Sequence, residues 1–96
     1  MEEVRLAAGE KMILALPGLG SAGYQWSVIV QDARVAHVAK IERLSGAAPG
    51  ASGSNDEQFA IVALTAGQTV LWFAQRRVFQ SDRPPHAVRE VLVRVE

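Results

Sequence analysis

The segment Gly18-Leu19-Gly20-Ser21-Ala22-Gly23 has the spacing G-x-G-x-x-G and follows an apolar stretch that ends at Leu16-Pro17. In a dinucleotide-binding protein this spacing serves backbone chemistry. The glycines let the chain approach a pyrophosphate, and the third opens a helix whose N-terminus holds the anion. Glu42 stands about twenty residues on, where an acid would meet a ribose hydroxyl. The residues after Gly23 argue against that chemistry. Tyr24, Trp26, Val28 and Val30 share one face of a seven-residue alternating run, which is a strand pattern and not a helix. A chain of 96 residues is also too short for paired mononucleotide-binding halves. The glycines are therefore expected in a loop between two strands, and no cofactor is expected.

Other reactive types are sparse. Ser21 lies between glycines but lacks the G-x-S-x-G frame of a nucleophile elbow. There is no cysteine, and the two histidines, His37 and His86, are far apart in the chain. A zinc site would have to recruit scattered carboxylates, so no metal and no catalytic residue is assigned. His37 falls in an apolar stretch and reads as structural; His86 beside Pro85 reads as exposed. The acidic pair Asp56-Glu57 reads as a solvated loop edge. Phe79 closes a strand-like run just after Arg76-Arg77, and an aromatic beside arginine at a loop entrance is a common composition of binding hot spots.

These residues sit in one small domain. The composition is 49% hydrophobic and 21% charged, with 10 basic and 10 acidic side chains. A chain of this length buries roughly 60–65% of its unfolded surface, enough for a single core. Fifteen of the apolar residues are alanine, so the core must come mainly from Val, Ile, Leu and the aromatics. Zero net charge argues against nucleic acid, whose binders carry a basic excess. No apolar run approaches the roughly 18 residues of a membrane-spanning helix. The acidic start Met1-Glu2-Glu3 leads into no signal-type core, which suits either a cytoplasmic protein or a mature exported form.

The elements that position the loops read as β throughout. Short apolar or alternating runs occur at Val4–Leu6, Lys11–Leu16, Tyr24–Val30, Val35–Leu44, Phe59–Leu64, Thr69–Phe79 and Ala87–Val95. Residues 32–44 are alanine-rich and would suit a helix capped by Asp32, but strand neighbours on both sides favour strand. In that strand Val35, Ala39 and Ile41 would share one face. Seven short strands with regular turn signals predict an all-β fold, an antiparallel sandwich in a single domain over residues 1–96. Trp26 is the expected centre of its core, with Trp72 in a similar role. Three connections, Pro17–Gly23, Ser45–Asp56 and Gln80–His86, are too long or too glycine-rich for tight hairpins. Three adaptable loops on a rigid sandwich suggest a binding surface.

The order of these pieces resembles the chagasin family of cysteine-peptidase inhibitors. That family carries Asn-Pro-Thr-Thr-Gly-(Tyr/Phe)-x-Trp after a strand ending in Leu-Pro. Here Leu16-Pro17 precedes Leu19-Gly20-Ser21-Ala22-Gly23-Tyr24-Gln25-Trp26, with Gly23, Tyr24 and Trp26 matching and Ser21 keeping a hydroxyl. The asparagine, the proline and the second threonine are absent. Gly50-Ala51-Ser52-Gly53 corresponds loosely to the family's Gly-x-Gly-Gly loop. Arg77-Val78-Phe79 occupies the place of its Arg-Pro-Trp, with only Arg77 unchanged.

The resemblance implies an immunoglobulin-like β-sandwich of about seven strands that acts as a reversible protein inhibitor of papain-like cysteine peptidases, without catalysis of its own. Three loops from one end of the sandwich, residues 18–24, 46–57 and 77–86, would block the active-site cleft. The implied contact residues are Leu19 to Tyr24, Gly50 to Gly53, and Arg77 to Phe79. The implied partner is the peptidase itself, with no nucleic acid, membrane or small-molecule substrate. The altered motifs leave a second reading open, an immunoglobulin-like interaction module that no longer inhibits.

Overall fold

A computed structural model describes residues 2–18, 23–41, 56–77 and 84–96. Seven strands follow in chain order: β1 Glu2–Leu6, β2 Lys11–Leu16, β3 Tyr24–Val30, β4 Ala36–Ile41, β5 Glu57–Ala63, β6 Gly67–Arg77 and β7 Ala87–Val95. They form a four-stranded sheet in the order β1-β7-β6-β3 and a three-stranded sheet in the order β2-β5-β4. The two sheets face each other across one core, as the alternation of the strands predicts.

Period two decides which side chains enter that core. Along β6, Thr69, Leu71, Phe73 and Gln75 are buried. Along β7 the same holds for Val91, Val93 and Val95. Phe59 and Ile61 answer from β5, and Leu16 and Trp26 close the core toward one end. Phe59 and Phe73 meet edge to face, centroids 5.2 Å apart with an interplanar angle of 68°. This geometry places the positive edge of one ring on the negative face of the other. No cysteine is present, so this packing joins the sheets without a disulfide.

Several expectations change in detail. Trp72 belongs to the outer face, because Leu71 and Phe73 on either side of it take the inward positions. It lies in register with Ile29 on β3 and Glu90 on β7. In β4 the inward residues are Ala36 and Val38, whereas Ala39 and His37 are exposed. His37 is thus a surface residue and not a structural one. Residues 36–41 pair with β5 from Ala36↔Ala63 to Ile41↔Gln58, so inter-sheet burial and ladder hydrogen bonds override the helix preference of alanine there. The end of the expected strand, residues 42–44, lies outside the described residues, as do Val78 and Phe79. Asp32 caps a turn instead of a helix: its carboxylate accepts the Arg34 N–H at 3.0 Å, and its carbonyl accepts the Val35 N–H.

One pairing is parallel. β1 runs beside β7 from Glu2↔Val91 to Leu6↔Val95. The first and last strands share no connection, so a parallel arrangement requires no crossover. Its register puts Arg5 beside Arg94, and Glu3 lies between them, paired with both.

Candidate functional site

The registers fix where the loops emerge. In the larger sheet Tyr24, the first residue of β3, faces Arg77, the last of β6, while Gln75 faces Ala87 at the start of β7. In the smaller sheet Leu16, the last residue of β2, faces Glu57 at the start of β5, and Ile41, the last of β4, faces Gln58. The connections 17–23, 42–56 and 78–86 therefore all leave the same end of the sandwich. The turns at 7–10, 31–35 and 64–66 lie at the other end.

Of the residues implicated by the sequence, Gly23, Tyr24 and Arg77 are described. Leu19, Gly20, Ser21, Ala22, Gly50, Ala51, Ser52, Gly53, Val78 and Phe79 lie outside the described residues. The structure brings Tyr24 and Arg77 together: the Arg77 guanidinium carbon stands 5.3 Å from the centroid of the Tyr24 ring, a cation–π distance. His86 packs on the same tyrosine, ring centroids 5.0 Å apart. One aromatic ring thus joins the end of the first loop to both ends of the third. Gly23 has φ +83°, a left-handed conformation that turns the chain into β3. The strand after it removes the helix N-terminus that a pyrophosphate site would need. No group of three or more His, Asp or Glu side chains among the described residues is placed to hold a metal.

Beneath the loops lies a polar network. The Trp26 indole N–H donates to the Pro17 carbonyl at 2.8 Å, so the strand after the first loop grips the residue before it. The Gln75 amide, from β6, donates to the same carbonyl at 3.2 Å. The Gln75 backbone carbonyl accepts the His86 backbone N–H at 2.7 Å, closing the neck of the third loop. Glu57 is only 13% exposed at its side chain, which corrects the reading of Asp56-Glu57 as a solvated edge; Asp56 alone is exposed. The Glu57 carboxylate accepts the backbone N–H of Trp26 at 3.1 and 3.2 Å and pairs with the Lys40 ammonium at 2.5 Å. Among the described residues no buried side-chain nitrogen or oxygen lacks a partner.

Sequence reading did not find Glu57, Gln75 or Lys40. A glutamine on the inward face of a long apolar strand was the one available signal. Such a group is buried only with partners, and here the partner is a loop neck.

A protein-family model, described as chagasin family peptidase inhibitor, matches residues 5–93. The chain belongs to the chagasin family. Among solved structures it is similar to a cysteine protease inhibitor from Entamoeba histolytica, with a TM-score of 0.78 and 12% identity over 99% of this chain and 85% of that one. It is also similar to amebosin in solution, with a TM-score of 0.69 and 23% identity over 98% and 88% of the two chains. A search of curated proteins gave no significant match. These structural likenesses establish the shared fold. The family match reaches strands on both sides of each of the three loops.

Proposed function

We propose that this chain is a reversible inhibitor of papain-like cysteine peptidases. It acts by inserting the loops 18–24, 46–57 and 77–86 into the active-site cleft. The observation that carries the reading is the convergence of three loop necks at one end of a sandwich whose family is one of peptidase inhibitors. One structural relative is itself described as a cysteine protease inhibitor.

The mechanism follows from residue size and fixed geometry. Gly20, Ser21 and Ala22 are small, so the backbone at the tip of the first loop can approach the peptidase cysteine and offer its N–H and C=O groups. Arg77 and Phe79 cover one side of the cleft and Gly50 to Gly53 the other. The network around Pro17, Trp26, Glu57 and Gln75 holds the necks in place before binding, which lowers the entropy lost on association. Blocking requires no bond to be made or broken, so the partner is the peptidase and the chain turns nothing over.

Inhibition assays across papain-like peptidases test this directly. Reversible inhibition at or below micromolar concentration is the expected result. A folded protein that inhibits none of them and captures a non-peptidase partner instead would overturn the reading in favour of an interaction module.

A further inference from the structure

The Glu57 carboxylate occupies a junction that the family's loop motifs do not include. Its own backbone is the C-terminal neck of the 42–56 connection. Lys40, with which it pairs, is the penultimate residue of β4 and stands at the N-terminal neck of the same connection. Its second partner, the Trp26 N–H, belongs to the opposite sheet, 31 residues away in sequence. β3 is the edge strand of its sheet, with β6 as its one ladder neighbour, and the Glu57 carboxylate reaches it from the other sheet. Glu57 therefore closes one loop and fastens it to the strand that bears another.

The links continue beyond Trp26. Its indole holds Pro17, Pro17 is held also by Gln75, and Gln75 holds His86. Lys40, Glu57, Trp26, Pro17, Gln75 and His86 thus form a connected path that touches the neck of every loop at this end. A carboxylate acceptor strengthens such a path, since hydrogen bonds to a charged group are roughly twice as strong as neutral ones.

We propose that Glu57 is a positioning residue that couples the three loop necks, so that the loops meet the peptidase as one preorganised unit. The proposal rests on the inhibitory reading above. It also predicts where the energy of a Glu57 substitution appears. Being mostly buried, Glu57 is not itself a contact, and the bound peptidase would restore the loop geometry. A loosened neck lowers the fraction of binding-competent molecules, which divides the apparent affinity by that fraction. The loss then falls on the association rate, whereas losing a direct contact falls mostly on dissociation.

The test compares wild type, Glu57→Ala and Glu57→Gln by surface plasmon resonance on immobilised papain, at a temperature where each is folded. The expected result is an association rate lowered about tenfold in Glu57→Ala, an intermediate value in Glu57→Gln, and a dissociation rate within about twofold of wild type. A lower melting temperature with an unchanged association rate would overturn the proposal, and so would a loss confined to dissociation. Where Glu57→Ala does not fold, Lys40→Met takes its place, with a smaller effect of the same sign. Amide spectra separate this test from the inhibitory reading, because they need no peptidase. In Glu57→Ala the N–H resonances of Gly23, Tyr24 and His86 should shift, while those of Gly9 and Gly67 at the far end stay in place. Shifts limited to Trp26 and β5 would contradict the coupling even if wild type inhibits strongly.

Discussion

The Trp26 indole N–H donates to the Pro17 carbonyl at 2.8 Å, so the two ends of the glycine-rich loop are fastened to each other by a single side chain. Trp26 is also 5% exposed and packed in the core. It links the stability of the sandwich to the shape of the loop. Trp26→Phe keeps an aromatic ring but removes the donor. It should destabilise the fold by about 1–3 kcal/mol, from one lost hydrogen bond and incomplete filling of the site. Urea unfolding checks the magnitude. Inhibition should weaken in the same variant under conditions where it is fully folded.

Gly23 turns the chain into β3 at φ +83°, and a Cβ built there meets nothing within 4 Å. Any cost of Gly23→Ala is therefore backbone strain and not a clash. An L residue in that region costs roughly 1–2 kcal/mol. Thermal unfolding should report a destabilisation of that order. Gly23→Glu adds a charged side chain at the loop end and should lower peptidase affinity much further than Gly23→Ala does, at similar stability.

Arg77 lies over the Tyr24 ring at the surface, where a cation–π contact is worth about 0.5–1 kcal/mol. Arg77→Ala should lower stability by at least the worth of that contact, about 0.5–1 kcal/mol, in chemical denaturation. Its effect on peptidase binding should be larger and should appear mainly as faster dissociation, the usual mark of a lost contact. Phe79→Ala should likewise act on binding mainly through faster dissociation. This kinetic signature is the opposite of the one expected for Glu57.

Ile29 is 65% exposed on the outer face of the four-stranded sheet, in register with Trp72. That face is set apart from the loop end. Ile29→Thr keeps a β-branched residue suited to a strand. The variant should inhibit within about twofold of wild type, since a surface change away from such features moves energies by no more than about 0.5 kcal/mol. A large loss of inhibition would place the binding surface on the sheet face instead of the loops.

The Arg34 side chain, which bonds the Asp32 carboxylate at 3.1 and 3.3 Å, and the Arg34 backbone N–H hold the Asp32 carboxyl below its ordinary value. A lowered carboxyl pKa contributes stability above the unfolded value, and that contribution is lost as pH falls through the folded one. Asp32 therefore adds no pH dependence near neutrality. Carbon NMR should place its titration below that of an ordinary aspartate. Arg34→Ala should move it upward, but not to the ordinary value, if the hydrogen bond from the backbone N–H of residue 34 is kept.

The strands were legible because period two is written in the side chains: Val91, Val93 and Val95 mark their own burial against Leu92 and Arg94. Trp72 misled for a related reason. Size suggested the core, yet parity with Leu71 and Phe73 put it outside, and parity decides. His37 was misplaced by its apolar neighbours, although Ala36 and Val38 already claimed the inner face. At the loop end, motif order singled out Gly23, Tyr24, Trp26 and Arg77, and the structure sets Arg77 over the Tyr24 ring there. Glu57 could not, since nothing local distinguishes it from Asp56. Its partners Trp26 and Lys40 are brought to it only when the two sheets pack, and such long-range pairing leaves no local pattern in the chain.

The most direct measurement of the central claim is steady-state inhibition of papain at several substrate concentrations. Occupation of the cleft by the loop end predicts a competitive pattern, with an apparent inhibition constant that rises linearly with substrate. It also predicts that papain with its active-site cysteine covalently blocked by a bulky inhibitor binds the chain far more weakly. No inhibition by the folded protein, or inhibition indifferent to substrate and to the blocked cysteine, would contradict it.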